Sequence, residues 1–275
     1  MATAFPGAFG AASALPEALV PDEPQPGQVA LRWLGQGGFA FRSPDGVVWC
    51  VDPYLSSFSS RPDFRRLAPA PVEAERVTAD AVLCTHAHSD HVDPVSLPLI
   101  ARASPGARFY AAAEGAQRFR DLGIPPARVR AVAAGDRDVP VSGAAAGSTD
   151  VVADVVFAEH SGDAVGYVFR VGSGTRPLRV YVTGDSLYSP QLVSDATREP
   201  DVLCVCINGR MGNMNHEEAA RLAGELGAGV VVPMHYGVMP HNDADPQAFL
   251  DALRAQGVAA RPRVLAIGET FLFGR

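Results

Sequence analysis

The sequence contains no run of about 18 apolar residues, the length that a membrane-spanning helix requires. It has no Lys or Arg before Arg32, so the positively charged segment that opens a secretory signal peptide is missing. It has only four cysteines, each in an apolar run typical of a buried strand, and their spacing fits no disulfide framework. We therefore expect a protein of the reducing cytoplasm that has no membrane partner.

Basic residues are also fewer than acidic ones. The chain has 23 Lys and Arg against 30 Asp and Glu, which gives a formal net charge of -7 and a pI near 5.5. Nucleic-acid affinity comes mostly from neutralised phosphates, so this balance predicts no nucleic-acid partner and favours a small-molecule substrate. The 275 residues, 47% of them hydrophobic, are enough to build one large core.

The pattern along the chain predicts one domain with an N-terminal extension. Residues 1–27 are rich in Pro, Ala and Gly without periodicity, which indicates a flexible arm. In residues 28–275, apolar strand-like segments such as Ala81–Cys84 and Val202–Ile207 alternate with shorter helical stretches. We expect an α/β fold in which two β-layers lie face to face and the helices cover their outer sides.

Two local patterns make sharper predictions. Asn215 followed by Glu218 forms a capping box, which predicts a helix from His216 to Leu226. The apolar run Val264–Ile267 predicts a strand near the end of the chain.

The strongest chemical signal directly follows the predicted strand Ala81–Cys84. The segment Thr85-His-Ala-His-Ser-Asp-His91 places three imidazoles and a carboxylate within six positions. Imidazole nitrogens and carboxylate oxygens suit zinc, manganese or iron. The alternative is a polar surface loop in which the histidines are unrelated. The density of ligand-type side chains favours a metal site formed by His86, His88, Asp90 and His91.

This segment resembles the second motif of the metallo-β-lactamase superfamily, and the other motifs follow in the order of that family. They are matched by Asp52 in Cys50-Val-Asp-Pro53, His160 in Ala158-Glu-His-Ser-Gly162, Asp185 in Thr183-Gly-Asp-Ser186 and His235 in Pro233-Met-His-Tyr-Gly237. The resemblance implies an αββα sandwich with two divalent metal ions, zinc or manganese, with iron as a further candidate.

The resemblance also implies a division of the ligands. His86, His88 and His160 hold one ion, while Asp90, His91 and His235 hold the other. Asp185 bridges the two ions, and Asp52 supports the histidine segment by hydrogen bonding without binding metal.

Three of these assignments have alternatives from the residues alone. Asp163 lies three positions after His160 and could be the third-motif ligand in its place. Asp185 after Gly184 could be a turn residue, and His235 beside Tyr236 could be a packed histidine.

Two adjacent cations lower the pKa of a shared water and so provide a hydroxide nucleophile at neutral pH. This chemistry predicts a metal-dependent hydrolase. The resemblance adds a catalytic role for Asp90, which holds the attacking group in line as well as binding metal.

A second group of segments points to one branch of the superfamily. Trp33–Phe39, Asp52-Pro-Tyr54, Asn208–Asn215 and Met234–Gly237 together resemble the L-ascorbate-6-phosphate lactonase family. Arg210 offers a fork of donors suited to a phosphate or carboxylate, although a solvated arginine or an ion pair is the simpler alternative. The predicted substrate-binding residues are Asn208, Arg210, Tyr236 and His241.

The leading hypothesis is hydrolysis of a lactone or cyclic ester in a small polar substrate, with or without a phosphate group. A phosphodiesterase acting on nucleotides or phospholipids at the same two-metal site is the alternative. A metal-binding scaffold of the same fold is the non-enzyme hypothesis. The resemblance is also consistent with a homo-oligomer.

Overall fold

The computed structural model describes residues 19–59, 61, 64–142, 151–173 and 175–274. Its strands form two seven-stranded sheets. The first sheet contains β1 (Gln28–Gly35), β2 (Gly38–Arg42), β3 (Val48–Val51), β4 (Ala81–Cys84), β5 (Arg108–Ala111), β6 (Val129–Ala131) and β14 (Thr270–Gly274). Their order is β14-β1-β2-β3-β4-β5-β6, antiparallel up to β3 and parallel from there to β6.

The second sheet has a similar design. It contains β7 (Val139–Pro140), β8 (Val151–Phe157), β9 (Val165–Val171), β10 (Leu178–Val182), β11 (Val202–Cys206), β12 (Val230–Met234) and β13 (Arg261–Pro262). The order is β13-β12-β11-β10-β9-β8-β7, parallel from β10 to β13 and antiparallel on the other side.

Helices cover the outer faces of both sheets. The helices α1 (Ser96–Ala103) and α2 (Ala113–Asp121) belong to the first sheet, and α3 (His216–Leu226) and α4 (Pro246–Ala255) belong to the second. In β4, Ala81 and Leu83 face the core between the sheets, while Val82 and Cys84 face the α1 side. Burial on both faces explains why this strand is a continuous apolar run. The predicted αββα sandwich is confirmed.

The local predictions have mixed outcomes. The capping box is confirmed: Asn215 Oδ1 accepts from the backbone N–H of Glu218, and Glu218 Oε2 accepts from that of Asn215. The predicted strand Val264–Ile267 is wrong. The short strand Arg261–Pro262 precedes it, and the backbone of Leu265 bonds to the Tyr236 hydroxyl instead of to a neighbouring strand.

Residues 1–18 of the predicted arm lie outside the described residues. The remaining part, residues 19–27, is described, and the side chains of Leu19 and Val20 are buried in the core on the outer side of the first sheet. The Leu19 carbonyl accepts a hydrogen bond from the Arg32 guanidinium, so the packed domain begins no later than Leu19. Within the described chain, every helix is too short or too polar to cross a bilayer.

Candidate metal centre

Five strand ends place the predicted ligands and the supporting Asp52 at one edge of the sandwich. The histidine segment follows β4, and Asp52 follows its neighbour β3. From the second sheet, His160 follows β8, Asp185 follows β10 and His235 follows β12. Because the carboxyl ends of neighbouring parallel strands meet at one edge, residues far apart in sequence come together there.

The three-histidine half of the centre consists of His86, His88 and His160. Their ligand nitrogens lie within 4.8 Å of one another. His88 Nδ1 lies 2.9 Å from His86 Nε2 and 3.4 Å from His160 Nε2. These three atoms therefore surround one small volume that a metal ion could fill.

On two of these rings, hydrogen bonds at Nδ1 leave Nε2 unprotonated and able to bind a metal ion. His160 Nδ1 lies 3.0 Å from the Gly212 carbonyl, an acceptor, so its proton is on Nδ1 and its Nε2 carries the lone pair. His86 Nδ1 lies 3.1 Å from Thr85 Oγ1. Because the Thr85 hydroxyl donates its own proton to Asp52, it can only accept from His86 Nδ1, which leaves the lone pair of His86 on Nε2. Asp163, the alternative to His160, instead accepts a hydrogen bond from the Glu114 backbone.

The carboxylate half of the centre consists of Asp90, His91 and His235. His91 Nδ1 donates to Asp52 Oδ2 over 2.8 Å, and both side chains are completely buried. This bond points His91 Nε2 towards Asp90 Oδ2 at 3.7 Å and Asp185 Oδ1 at 3.4 Å. Asp52 thus has the supporting position that the resemblance implies.

Asp185 lies between the two halves. Its Oδ1 is 2.7 Å from His235 Nε2, while its Oδ2 is 4.0 Å from His160 Nε2. One carboxylate oxygen therefore faces each half, which is the geometry that a bridging ligand requires.

Three buried atoms of this cluster have no hydrogen-bond partner of acceptable geometry: His91 Nε2, His235 Nε2 and Asp185 Oδ1. Burying an unsatisfied polar atom costs about 1–3 kcal/mol, so native proteins seldom leave three of them facing each other. A divalent cation among them would satisfy all three at once. The donor set of imidazole nitrogens and carboxylate oxygens fits zinc, manganese or iron.

The pKa values of His86 and His88 in one half and of His91 in the other are shifted in opposite directions. Burial and the neighbouring His91 hold the pKa of His86 well below its usual range, and burial with the same neighbour lowers the pKa of His88. Burial also disfavours the charged form of His91, but Asp52, Asp185 and Asp90 outweigh it and raise its pKa well above the usual range. Burial acts to raise the pKa of Asp185, yet His235 and His91 hold it well below its usual range.

Gln36 is a polar residue of the site that the sequence analysis did not select. Its completely buried side chain has Nε2 at 3.1 Å from both Asp90 Oδ2 and His235 Nδ1. The adjacent Gly37 leaves room for the rings, since a Cβ there would lie 3.0 Å from the His91 ring. The only sequence signal was its place in the segment Trp33–Phe39, which supported the lactonase resemblance.

The loop 208–215 provides a second unpredicted residue. Asn213 Nδ2 donates to Asp185 Oδ2 over 3.0 Å, and Gly212 supplies the carbonyl that orients His160. A Cβ on Gly212 would lie 2.8 Å from the His160 ring, so the glycine is needed at this close approach. This loop supports the ligands through Gly212 and Asn213.

The predicted substrate-binding residues are not in the lining of the cavity that His88, Asp90 and Asp185 share. Arg210 and Asn208 line a second, wider cavity, and Asn208 Nδ2 donates to Asn242 Oδ1. Tyr236 lines the same cavity, where its ring stacks on Trp33 and its hydroxyl bonds to the Leu265 backbone. His241 lies in a short turn with its ring centroid 6.3 Å from that of Phe64.

A cavity of about 560 Å³ opens directly onto the metal ligands. His88, Asp90 and Asp185 contribute to its lining, so a bound molecule would reach both halves of the centre. Its volume is in the range typical of small-molecule sites.

Comparison with known proteins agrees with this geometry. Residues 50–236 match the family described as the beta-lactamase superfamily domain. A UPF0173 metal-dependent hydrolase from Anaeromyxobacter sp. (strain K) is 30% identical over 266 residues, which cover 90% of this chain and 88% of the relative. Another from Myxococcus xanthus is 30% identical over 264 residues, covering 89% and 83% of the two chains.

Solved structures show the same fold. Igni18, a metallo hydrolase from the archaeon Ignicoccus hospitalis, has a TM-score of 0.69 and 26% identity, covering 90% of this chain and 99% of its own. An isothiocyanate hydrolase from Delia radicum gut bacteria also has a TM-score of 0.69, at 21% identity and with coverages of 89% and 99%. With its motifs, fold and close relatives in agreement, the chain belongs to the UPF0173 metal-dependent hydrolases of the metallo-β-lactamase superfamily.

Proposed function

We propose that this hydrolase opens a lactone or cleaves a related ester at a two-metal centre. The observation that carries the proposal is the convergence of three unpartnered buried atoms, on His91, His235 and Asp185, beside the three histidine nitrogens. Bound divalent ions supply an activated water and a Lewis acid that polarises the carbonyl oxygen. No serine or cysteine nucleophile is required.

The residues of the chain have distinct parts in this reaction. His86, His88 and His160 would hold one ion and Asp90, His91 and His235 the other, while Asp185, whose two oxygens face the two halves, would serve both. Gln36 fixes the Asp90 carboxylate by a hydrogen bond to Oδ2. Asp90, which lines the cavity, orients the attacking water by accepting its hydrogen bond. Water then adds to the acyl carbon, the acyl C–O bond breaks, and the products are a carboxylate and a hydroxyl group.

The resemblance to the lactonase family supports an ester or lactone as the scissile bond, because residues of the segments that carry it contact the proposed metal ligands. Gln36 comes from one of them, and Gly212 and Asn213 come from another. Phosphodiester cleavage needs the same centre and is the principal competing outcome.

The test is hydrolysis of γ-lactones, aryl esters and bis(4-nitrophenyl) phosphate by protein loaded with zinc or manganese. We expect ester and lactone turnover that a chelator abolishes and that added metal restores. Turnover of the phosphodiester alone would show that the protein is a phosphodiesterase and would overturn this proposal.

A variant tests the role of Asp90. Asp90→Asn should bind the substrate but hydrolyse it far more slowly. Asp163→Asn is its control, because Asp163 is exposed and contacts the Glu114 backbone instead of the centre.

A further inference from the structure

The cavity at the metal centre combines a polar floor with apolar walls. His88, Asp90 and Asp185 form the floor, where the scissile bond would lie. The walls include Phe58, Phe64, Met211 and Met239, so the part of a substrate beyond the scissile bond would contact mainly carbon and sulfur. Such walls favour an apolar group, since each buried methylene contributes about 0.8 kcal/mol.

Met211 combines a positive φ with an exposed position at the cavity. Its backbone has φ of +54°, a region that favours glycine, and yet its side chain is 53% exposed. A non-glycine residue there costs free energy, and an exposed thioether gains little from solvent. Its neighbour Arg210, the predicted anion ligand, lines the other cavity. The loop therefore presents methionine, and not arginine, to the cavity beside the metal centre.

The other apolar lining residues are held by a buried cluster. Met239 is buried against Tyr54, with Phe64 packed on the same cluster. The Tyr54 hydroxyl donates to the Phe58 carbonyl over 2.8 Å, which fixes the backbone of that lining. Phe58 itself is 40% exposed and forms part of the lining. A lining held in this way loses little conformational entropy when an apolar group binds.

The charges around the cavity do not favour a phosphate. Two arginines line it, but the Arg118 guanidinium pairs with Glu114 at 3.2 Å and the Arg61 guanidinium lies over the Phe64 ring, 4.2 Å from its centroid. Three carboxylates are also in the lining: Asp90 and Asp185, which are proposed metal ligands, and Asp121. Beyond the metal ligands, a phosphate on the substrate would meet the Asp121 carboxylate, one guanidinium paired with Glu114 and another packed on Phe64, whereas an alkyl chain would bring no charge against them.

We propose that this site selects esters or lactones that carry an alkyl chain, bound against the apolar lining formed by Met211, Phe58, Phe64 and Met239. This inference rests on the proposed ester or lactone hydrolysis and adds the substrate class. The alkyl chain, and not a phosphate, supplies the binding energy beyond the reacting bond.

The experiment compares 4-nitrophenyl acetate, butanoate and hexanoate, and γ-lactones with and without an alkyl substituent or a phosphate, on the metal-loaded enzyme. We expect kcat/KM to rise about two- to four-fold with each methylene that enters the cavity. The alkyl-substituted lactone should exceed the phosphorylated one. A flat chain-length series, or a preference for the phosphorylated lactone, overturns the inference.

Variants localise the effect. Met211→Gly removes the side chain at a backbone position that glycine prefers, so the chain-length preference should shrink without a fall in Tm. Met239→Gln places a polar amide in the same apolar lining and should act in the same direction. Leu67→Gln is the matched control, because this leucine is also exposed, at 60%, and does not line the cavity. An unchanged preference in Met211→Gly and Met239→Gln overturns the inference.

A binding measurement separates this inference from the reaction itself. Calorimetric titration of the metal-loaded protein with octanoate and with acetate compares two carboxylates that differ only in chain length. Tighter binding of octanoate, lost in Met211→Gly, together with no ester or lactone hydrolysis, would keep the apolar site and reject the proposed reaction. Equal binding of the two carboxylates would reject the apolar site even if esters are hydrolysed.

Discussion

The two halves of the metal centre use similar ligands in different electrostatic surroundings. In the three-histidine half, neutral groups, namely the Gly212 carbonyl and the Thr85 hydroxyl, orient the rings. In the carboxylate half, His91 lies among Asp52, Asp90 and Asp185. The lowered pKa values of His86 and His88 keep these two imidazoles neutral and ready for a metal, whereas His91, with its raised pKa, attracts either a proton or a cation. The difference predicts two ions that bind with unequal pH dependence.

The largest expected effect comes from the residue that the halves share. Asp185→Asn removes the negative charge that faces both, so we expect loss of both ions and a fall in kcat/KM of about 1,000-fold, equivalent to about 4 kcal/mol. Metal content by elemental analysis and ester turnover measure this result, with Asp163→Asn as control. If Asp185→Asn retained two tightly bound ions, Asp185 would not be a bridging ligand.

Single-histidine variants should separate the halves. His88→Ala should weaken one ion and His235→Ala the other, each by about 100-fold or more in affinity, leaving about one ion per chain. Equilibrium dialysis against a zinc buffer measures the stoichiometry. A variant that lost both ions equally would show that the halves bind as one unit.

Asp52→Asn tests the support of the carboxylate half. The asparagine amide can still accept from the Thr85 backbone, but its NH₂ cannot accept the His91 Nδ1 proton, so the tautomer that ligates metal is disfavoured. We expect a loss of about 10- to 100-fold in affinity for one ion only. Asp80→Asn is the control, since Asp80 accepts from the Val48 backbone elsewhere on the first sheet. Equal weakening of both ions would contradict the assignment.

The smallest effect is the pH dependence. Because the pKa of His91 is raised well above its usual range, a metal ion must displace a proton there at neutral pH. Raising the pH removes this competition, so affinity of the carboxylate half should increase by up to about tenfold per pH unit until His91 is deprotonated. His86 and His88, whose pKa values are lowered, should give a nearly flat profile in the same range. Chelator competition at several pH values measures how the metal affinity of each half changes with pH. An equal change in both halves would contradict the predicted difference in pH dependence.

Much of the fold could be predicted because local chemistry determines it. The Asn215–Glu218 capping box specified the start of α3, and the apolar run of β4 indicated a strand buried on both faces. Val264–Ile267 shows the limit of such reasoning. Its composition suits a strand, but the Tyr236 hydroxyl, distant in sequence, takes the backbone hydrogen bonds of Leu265.

The sequence by itself indicated that residues 86–91 form part of a metal site, because three histidines and a carboxylate within six positions are ligands that divalent cations prefer. The tertiary structure alone decided what surrounds them. Asn213 and Gln36 became partners of Asp185 and Asp90 only when distant strand ends met at one edge of the sandwich. It also placed Met211 at the metal cavity and Arg210 at the other one. Adjacent residues of a loop can face different cavities, and the positive φ of Met211 is a feature of this loop that its residue type did not reveal.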